Sequence, residues 1–323
     1  MWGKQKKYWK KFMNQFKVGD NLEILKNENI SCDLIYIDPP YNTGRDFGDY
    51  NDRWPSMEDY SENFLYPRLE KCHKILKDTG NIVVHVEPKN NHWIRIGLDR
   101  FFGEKRFRNE IVWKTGGHAK NLKQLGRMHD TIIVYSKTNK FTFNPQYESY
   151  DEKYLSKTKI ENSLVSSKRG SQYTTTALHN SQPDVNPRLN LRYEWNGHLK
   201  QWLCSKEKME KLHKEDRLYY NKNGVPRIKR YVDEMDGIPI TDLWTDIIQI
   251  QGNEKLDYAT QKPIKLLDRI VKMYSNENDL VVDIFAGSGT AGVSAYNNNR
   301  KYFLIDVNQK GKDIFLSRIH EQQ

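Results

Sequence analysis

Short apolar runs, each bounded by turn-forming residues, alternate along most of the chain with segments in which apolar positions have helical spacing. Six of the runs have the length and composition of buried strands. They are CDLIYID (32–38), NIVVHVE (81–87), NEIVWKT (109–115), HDTIIVYSK (129–137), DLVVDIF (279–285) and KYFLIDV (301–307). Strands that alternate with helices predict an α/β fold, in which helices cover a layered sheet.

The predicted helices carry apolar residues three and four positions apart. In 58–77 these residues are Phe64, Leu65, Leu69, Cys72, Ile75 and Leu76, and the pattern continues across Pro67. The other predicted helices are 91–103, which ends at Gly103, 260–275, which has Pro263 in its first turn, 290–299 and 309–319.

The alternating pattern is interrupted near residue 141 and resumes near residue 243. The intervening segment is rich in Tyr, Trp, Asn and Lys, and its stretch YYNKNGVPRIKRYV predicts a hairpin with Asn223 and Gly224 in the turn. We therefore expect three parts. They are a basic N-terminal extension (1–17), an α/β domain built from 18–140 and 244–323, and an inserted module (141–243).

The charge distribution favours a polyanionic partner. The 323 residues carry a formal net charge of +10, and the sequence pI is about 9.2. Residues 1–17 contain six Lys and no acidic residue, and 105–140 contain nine Lys or Arg against Glu110 and Asp130. Concentrated positive charge predicts nucleic-acid binding, although a basic surface that serves only solubility remains the alternative.

Cysteine spacing and hydropathy argue against metal-binding, membrane-spanning and secreted classes of protein. Cys32, Cys72 and Cys204 form no CxxC pair and no metal spacing, so we expect free thiols in a reducing cytoplasm and no metal site. No apolar run is long enough for a membrane span, and the basic N-terminus lacks the apolar core of a signal peptide. We therefore expect a cytoplasmic protein with no membrane partner.

The first motif with chemical content is DPPY, at the end of the first predicted strand. Pro39 and Pro40 fix their own φ angles and push the preceding residues to extended conformations. The backbone is therefore stiff and cannot start a helix. It holds the Asp38 carboxylate and nearby carbonyls in a fixed array beside Tyr41, which suits a ligand that donates hydrogens.

The second motif is VVDIFAGSGTAG (281–292), a strand that enters a glycine-rich turn and then a helix. Gly287 and Gly289 permit a tight turn and close approach to a ligand. Asp283 ends the strand, Thr290 opens the helix, and Asp306 ends the next strand, where an acid can accept from ribose hydroxyls. The motif is neither GxGxxG nor a Walker loop. A nucleoside cofactor without phosphates, such as S-adenosylmethionine (AdoMet), therefore fits better than NAD or ATP. A tight turn without a ligand remains the alternative.

With DPPY early and FAGSG (285–289) late, the chain resembles the β-class amino DNA methyltransferases, and in particular the Mod subunits of type III restriction–modification systems. The resemblance covers most of the chain. It includes VGDNLEIL (18–25), DFGDYNDRW (46–54), YEWNG (193–197) and TQKPIKLLDRI (260–270). It implies a Rossmann-like, mostly parallel sheet with helices on both faces, circularly permuted, in which 141–243 is a target-recognition module.

The resemblance also implies roles for individual residues. Asp38 and the Pro39 carbonyl, within Asp38–Tyr41, would hold the exocyclic amine of a flipped base, and Tyr41 would stack on that base. The residues expected to bind AdoMet are Asp20, Asn21, Asp38, Thr260, Lys262, Asp283, Phe285, Gly287, Ser288, Gly289, Thr290 and Asp306. Among them, the resemblance implies that Asp20 and Asn21 lie near the adenine ring of AdoMet, and Thr260 and Lys262 near its methionine end. The family more often has Glu at the position of Asp306, so a helix-capping role for this shorter acid is the alternative.

Candidate DNA contacts lie in two basic segments. Lys114, Lys120, Lys123 and Arg127 belong to a Gly- and Lys-rich loop, for which plain solvation is the alternative. Arg227, Lys229 and Arg230 belong to the predicted module, where 17 basic residues stand against 14 acidic ones in 141–243. Specificity there would depend on hydrogen bonds to bases more than on bulk charge.

The predicted activity is AdoMet-dependent methylation of adenine N6 in duplex DNA, with base flipping, in or derived from a restriction–modification system. Cytosine N4 methylation is the nearest alternative, since the same chemistry serves it, although that class more often carries Ser in place of Asp38. An RNA methyltransferase and a non-catalytic DNA-specificity subunit are the further alternatives. A restriction subunit or a second copy of the chain are candidate partners.

Overall fold

The computed structural model describes residues 14–46, 51–116, 123, 125–149, 164–165 and 170–320. Most of the predicted basic extension and Lys120 lie outside the described residues. Within the described part, the chain divides into two compact units. One is drawn from residues 1–146 and 240–323, and the other from residues 147–239.

The larger unit is built around a mixed sheet. Its strands are β1 (Gln15–Val18), β2 (Cys32–Ile37), β5 (Leu76–Val86), β6 (Phe107–Lys114), β7 (His129–Ser136), β16 (Leu243–Trp244), β17 (Leu280–Asp283) and β18 (Lys301–Asp306), and β3 (Arg45–Asp46) with β4 (Asn51–Asp52) forms a separate two-stranded ribbon. The order across the sheet is β1-β18-β17-β2-β5-β7-β6-β16. Five of these seven pairings are parallel and only β7 runs antiparallel to its neighbours. The prediction of a mostly parallel sheet is confirmed.

The centre of the sheet joins the two ends of the sequence. Strand β17, near the C-terminus, pairs in parallel with β2, near the N-terminus, with Val282 opposite Ile35. All six residues of β2 are buried, as expected for a strand covered on both faces. The second unit is inserted in the chain between β7 and β16. The sheet of the larger unit is therefore completed only when strands that are distant in sequence pair.

Helices cover both faces of the sheet. They are α1 (Asn21–Asn27), α2 (Met57–Asp59), α3 (Tyr66–Ile75), α4 (Asn91–Phe102), α6 (Ile264–Tyr274), α7 (Thr290–Asn297) and α8 (Gln309–His320), and α5 (Lys206–Lys214) belongs to the smaller unit. Successive residues of β2 alternate between two apolar cores: Leu34 and Tyr36 pack with residues of α6, α7 and α8, whereas Ile35 and Ile37 pack with residues of α1, α3 and α4. This alternation follows from the period of two residues in a strand.

The predicted helix 58–77 is segmented. Between α2 and α3 lies a π-helical turn, Tyr60–Leu65, and Pro67 falls in the first turn of α3, where its missing N–H is tolerated. The predicted C-terminal end is wrong by two residues, because Leu76 already belongs to β5, where it pairs with Cys32. The other predicted strands and helices of this unit are present, with boundaries shifted by up to five residues.

The smaller unit has its own apolar core. An antiparallel sheet contains β9 (Leu164–Val165), β10 (Gln172–Ala177), β13 (Leu218–Tyr220) and β14 (Pro226–Tyr231), and the two remaining pairs are β11 (Arg192–Trp195) with β12 (His198–Gln201) and β8 (Tyr147–Glu148) with β15 (Ile238–Pro239). Trp202 is fully buried and packs with Met209 of α5. The predicted hairpin is confirmed, and Gly224 has the positive φ that its turn requires.

Cys32, Cys72 and Cys204 are free thiols and all three are buried. Among the described helices, none has the length and apolar character to cross a membrane. The described residues also contain no cluster of three His, Cys, Asp or Glu side chains arranged to hold a metal ion.

Candidate active site

Four acidic residues lie where strands end at one edge of the sheet. Asp38 follows β2, Asp283 ends β17, Asp306 ends β18, and Asp20 lies two residues after β1. Because these strands run in parallel, their carboxyl ends meet at the same edge. All four residues line one cleft of about 600 Å³, a volume that suits a small-molecule ligand.

Asp38 is held by one cation and one hydroxyl. The Lys262 ammonium forms an ion pair with Oδ2 of Asp38, and the Tyr41 hydroxyl donates a hydrogen bond to Oδ1. Burial, together with the Asp38 charge, raises the pKa of Tyr41 well above its usual value, so that hydroxyl stays protonated and acts as a donor. Only 15% of the Asp38 side chain and 16% of the Lys262 side chain are exposed, so both oxygens of Asp38 have a defined orientation.

The backbone after Asp38 is fixed by neighbouring elements. The Tyr60 hydroxyl donates to the Pro40 carbonyl at 2.6 Å, and the Asn90 side-chain amide donates to the Tyr41 carbonyl. Tyr60 comes from the π-helical turn and Asn90 from the 3₁₀ turn after β5. Two elements distant in sequence therefore hold the stiff proline segment in place.

A buried carboxylate fixes the next two residues, Asn42 and Thr43. Asp52 is 1% exposed. Its Oδ1 accepts from the Asn42 backbone N–H at 2.7 Å, and its Oδ2 accepts from the backbone N–H and hydroxyl of Thr43 at 2.9 and 2.6 Å. Asn42 has φ +53° and Gly44 has φ +74°. Asp52 thus stabilises a loop whose backbone is in the left-handed region directly beside Tyr41.

The glycine-rich turn forms the opposite wall of the cleft. Gly287 has φ +52° and Gly289 has φ +73°, conformations that glycine adopts at no steric cost. Asp306 accepts at Oδ2 from the Gly287 N–H at 2.7 Å and at Oδ1 from the Asn308 N–H at 2.9 Å. Asp306 therefore contacts both the turn and the segment that precedes α8. The hydrogen bond into the first turn of α8 is accepted by Asn308, whose Oδ1 lies 2.8 Å from the Lys310 N–H.

Asp283 is a deeply buried acid of the cleft, at 2% exposure. Burial raises the pKa of Asp283 well above its ordinary value, and the nearby Asp38 and Asp306 carboxylates add to this effect. The Phe285 N–H, which donates to Oδ1 at 2.9 Å, acts in the opposite direction. The clustered carboxylates repel one another, and a cationic ligand bound among them would reduce this repulsion.

An arginine that the motifs did not indicate joins three walls of the cleft. Arg68 is 6% exposed and donates hydrogen bonds to Asp20 and Asn21. Its guanidinium also lies 3.9 Å from the centroid of the Phe64 ring. The sequence does contain a signal, because Arg68 lies three residues after Leu65 and four before Cys72, on the apolar face of a predicted helix. Asp52, Tyr60 and Asn90 had no comparable signal.

Eleven of the twelve predicted cofactor residues line this single cleft. They are Asp20, Asn21, Asp38, Thr260, Lys262, Asp283, Phe285, Gly287, Ser288, Thr290 and Asp306. Gly289 lies behind the turn, where an added Cβ would be 2.5 Å from the Phe315 ring. Pro39, Pro40 and Tyr41 also line the cleft. Residues from 20 to 306 are therefore assembled into one site.

Comparison with known proteins shows the family of the chain. Residues 32–317 match a family of N6- and N4-methyltransferases that is described as DNA methylase. The chain belongs to this DNA methylase family. The resemblance that DPPY and FAGSG indicated is thereby confirmed.

Relatives of the chain carry specific names. The type II methyltransferase M.EcaI of Enterobacter cloacae is 31% identical over 307 residues, which are 91% of this chain and 66% of that protein. The StyLTI Mod subunit of Salmonella typhimurium is 28% identical, with 92% of this chain and 52% of that protein covered. The DNA adenine methyltransferase YhdJ of Escherichia coli is 27% identical, with 96% and 84% covered. The chain thus spans less than two thirds of the length of the first two relatives.

A solved structure supports the fold. The modification methylase TTHA0409 of Thermus thermophilus, in complex with S-adenosyl-L-methionine, superposes with a TM-score of 0.51 at 16% identity, over 96% of this chain and 94% of that one. At this identity the similarity concerns the fold. The predicted Rossmann-like methyltransferase fold is confirmed.

The candidate DNA contacts of the larger unit lie in different places. Arg127 lines the cleft and forms an ion pair with Glu87. Lys114, at the end of β6, and Lys123 are exposed. Two further cations, Arg45 and Lys89, line the cleft and are exposed, although sequence reasoning did not select them. Contact of any of these residues with DNA stays a prediction.

The three candidates of the smaller unit differ in their surroundings. Arg227 donates two hydrogen bonds to Thr175, each at 2.9 Å. Lys229 is 8% exposed and forms an ion pair with Asp216 at 3.0 Å. Arg230 is exposed. A phosphate contact by Lys229 would require this ion pair to open, so Arg230 has the better position for contact with DNA.

Proposed function

We propose that this chain transfers a methyl group from AdoMet to the N6 amine of adenine in duplex DNA. One observation carries the proposal. A single cleft of about 600 Å³ is lined on one side by Asp38–Tyr41 and on the other by the glycine-rich turn after β17. A cofactor pocket and an amine-holding array are thus adjacent, as a direct transfer between two bound molecules requires.

The residues of the cleft fit AdoMet in charge. Asp20, Asp283 and Asp306 line its cofactor side, and AdoMet carries two positive groups, a sulfonium and an ammonium. No phosphate-binding loop is present, since FAGSG is neither GxGxxG nor a Walker sequence. Lys262, which also lines the cleft, would meet the AdoMet carboxylate. When bound, AdoMet would supply an electrophilic methyl group, so the transfer needs no metal and no covalent enzyme intermediate.

The Asp38 array addresses the low reactivity of an aromatic amine, whose lone pair is conjugated with the ring. Carboxylate oxygens accept more than one hydrogen bond, so Asp38 can accept from the amine while Tyr41 and Lys262 hold its orientation. Together with the Pro39 carbonyl, it would favour a more tetrahedral nitrogen and stabilise the positive charge that develops there. Asp38 is also placed to accept the proton that the nitrogen releases.

Access to the cleft implies that the base leaves the duplex. A base in a stacked helix cannot reach Asp38, so we infer base flipping, with Tyr41 stacking on the extruded adenine. Exposed cations at the cleft, Arg45, Lys89 and Arg127, are placed to contact the phosphates that flank it. We propose that the unit formed by 147–239 selects the target sequence.

The choice of adenine and the biological setting rest on the relatives. YhdJ is named a DNA adenine methyltransferase, and StyLTI is named a Mod subunit of a type III restriction–modification enzyme. The similarity to this Mod subunit supports our proposal of a role in a restriction–modification system, with a restriction subunit or a second copy of the chain as partner. Size-exclusion chromatography with light scattering would test the second copy directly.

The activity is tested by methyl transfer from labelled AdoMet to mixed-sequence duplex DNA, followed by nucleoside analysis. We expect the label in N6-methyl-2′-deoxyadenosine. Label in N4-methyl-2′-deoxycytidine would overturn the target base, and label only in an RNA substrate would overturn the polymer.

Asp38→Ala tests the role of the carboxylate. We expect a loss of turnover of about 100-fold or more, because an oriented group that stabilises developing charge is removed. The matched control is Asp46→Ala, which changes an exposed carboxylate on the nearby ribbon. Circular dichroism would verify that both variants are folded, and full activity of folded Asp38→Ala would contradict the assigned role.

A further inference from the structure

Arg68 is buried at the end of the cleft formed by Asp20, Asn21 and Phe64. Its Nη2 donates to Asp20 Oδ2 at 2.6 Å, its Nε donates to Asn21 Oδ1 at 2.6 Å, and its Nη1 donates to the Phe64 carbonyl at 2.8 Å. Every nitrogen of the guanidinium is thus engaged with a residue that lines the cleft. The planar fork of an arginine is suited to hold several acceptors in fixed relation.

Each of the two polar partners of Arg68 uses another side-chain atom for a second hydrogen bond. Asp20 uses its other oxygen, Oδ1, to cap α1 by accepting from the Glu23 N–H at 3.0 Å. Asn21 uses its amide nitrogen to donate to the Ile284 carbonyl at 2.7 Å. Without Arg68, the second oxygen of Asp20 and the carbonyl oxygen of Asn21 would each lose the contact that sets their rotation.

Arg68 also sets an aromatic wall. Its guanidinium carbon lies 3.9 Å from the centroid of the Phe64 ring, and the Phe64 and Phe285 centroids are 5.9 Å apart. Phe285 is the first residue of the FAGSG motif. A cation stacked on one face of Phe64 holds that ring against rotation, so Arg68 connects α1, α3 and the segment after β17.

We propose that Arg68 is the positioning residue for the adenosine end of AdoMet. It orients the Asp20 carboxylate, the Asn21 amide and the Phe64 ring toward the bound nucleoside without touching the transferred methyl group. This inference rests on the proposed function, because it assumes that AdoMet occupies the cleft. A purely structural Arg68 would change the stability of the fold but would not single out the adenosine end of the ligand.

The test uses Arg68→Lys and Arg68→Met in the full chain, with calorimetric titration of two ligands. One is AdoMet. The other is 5′-methylthioadenosine, which has the adenosine end and lacks the amino acid. Loss of hydrogen bonds to charged groups predicts a rise in Kd of roughly 10- to 100-fold. We expect the same factor for both ligands, and we expect kcat at saturating AdoMet to change by less than about twofold.

Matched controls are Arg100→Lys and Arg100→Met. Arg100 lies in α4, pairs with Glu62 and is 56% exposed, and it does not line the cleft. These variants should bind both ligands as the wild type does. Arg68→Lys keeps the charge in place, so it remains informative if Arg68→Met does not fold.

Failure of the inference about Arg68 and failure of the proposed function would give different results. An unchanged Kd for both ligands in folded Arg68→Lys overturns this inference while leaving the proposed function intact. A weaker Kd for AdoMet with unchanged binding of 5′-methylthioadenosine also overturns it, since the effect would then lie at the methionine end. Failure of the wild type to bind AdoMet at all would refute the proposed function itself.

Discussion

The Asp52 carboxylate allows a direct test of how the segment proposed to be catalytic, Asp38–Tyr41, is held in place. Asp52→Asn keeps the shape of the side chain but replaces one acceptor oxygen by an NH₂ group. Asp52 accepts three hydrogen bonds, from the Asn42 N–H and from the N–H and hydroxyl of Thr43. An amide retains one oxygen, so at least one backbone N–H then faces another donor.

The magnitude follows from these contacts. A hydrogen bond to a charged group contributes about 1.5–3 kcal/mol, and the site is buried, at 1% exposure. We therefore expect Asp52→Asn to lower the free energy of unfolding by about 2–4 kcal/mol. Loosening of the loop beside Tyr41 should lower kcat by about 100-fold, the effect of a misplacement of roughly 1 Å. Asp52 does not contact the glycine-rich turn through any of its three bonds, so AdoMet affinity should stay within about twofold of the wild-type value.

The assay combines urea denaturation, single-turnover methyl transfer and calorimetric AdoMet titration. Asp46→Asn is the matched control, because Asp46 belongs to the same two-stranded ribbon and is exposed. It should alter none of the three quantities by more than about 0.5 kcal/mol. Wild-type turnover in folded Asp52→Asn would refute the role assigned to this carboxylate, and so would a loss confined to AdoMet binding.

Two further predictions concern the glycine-rich turn and the acid that precedes it. Gly289→Ala should lower the free energy of unfolding by about 2–4 kcal/mol, because φ is +73° and the new Cβ would be 2.5 Å from the Phe315 ring. Gly44→Ala, with φ +74° and no atom within 4 Å of its added Cβ, should lose less, and an equal loss in urea denaturation would exclude the steric term. The pKa of Asp283 is raised in the folded state, so its contribution to stability is fully present below the unfolded-state pKa of about 3.9 and is lost as the pH rises through the folded-state pKa. Asp283→Asn should therefore gain stability relative to the wild type as the pH rises from about 4 to 8, and a pH-independent difference in urea denaturation would contradict this.

Much of the larger unit follows from local pattern. The apolar run 32–37 and the strands 280–283 and 301–306 stand out because each is short, buried and bounded by turn formers. DPPY and FAGSG were readable for a related reason. Proline and glycine restrict or free the backbone by their own covalent structure, so their effect at Pro39 or Gly287 does not depend on distant residues.

Other features could not be predicted from a local sequence pattern. The π-helical turn at Tyr60–Leu65 carries the same apolar spacing as an ordinary helix, and strands β1 and β16 are too short to show a period. Lys229 looked like a surface cation beside Arg230. Its burial against Asp216 depends on how β14 packs within the smaller unit.

The sequence by itself determined the fold class, the family and eleven of the twelve predicted cofactor residues that line the cleft, because each belongs to a short contiguous segment. Only the tertiary structure decided which groups hold those motifs in place. Asp52, Tyr60 and Asn90 reach the proline segment, and Arg68 reaches Asp20, across 10 to 49 positions of the chain. A hydrogen bond between distant positions leaves no periodic trace in a sequence, since it depends on the packing that brings its donor and acceptor together.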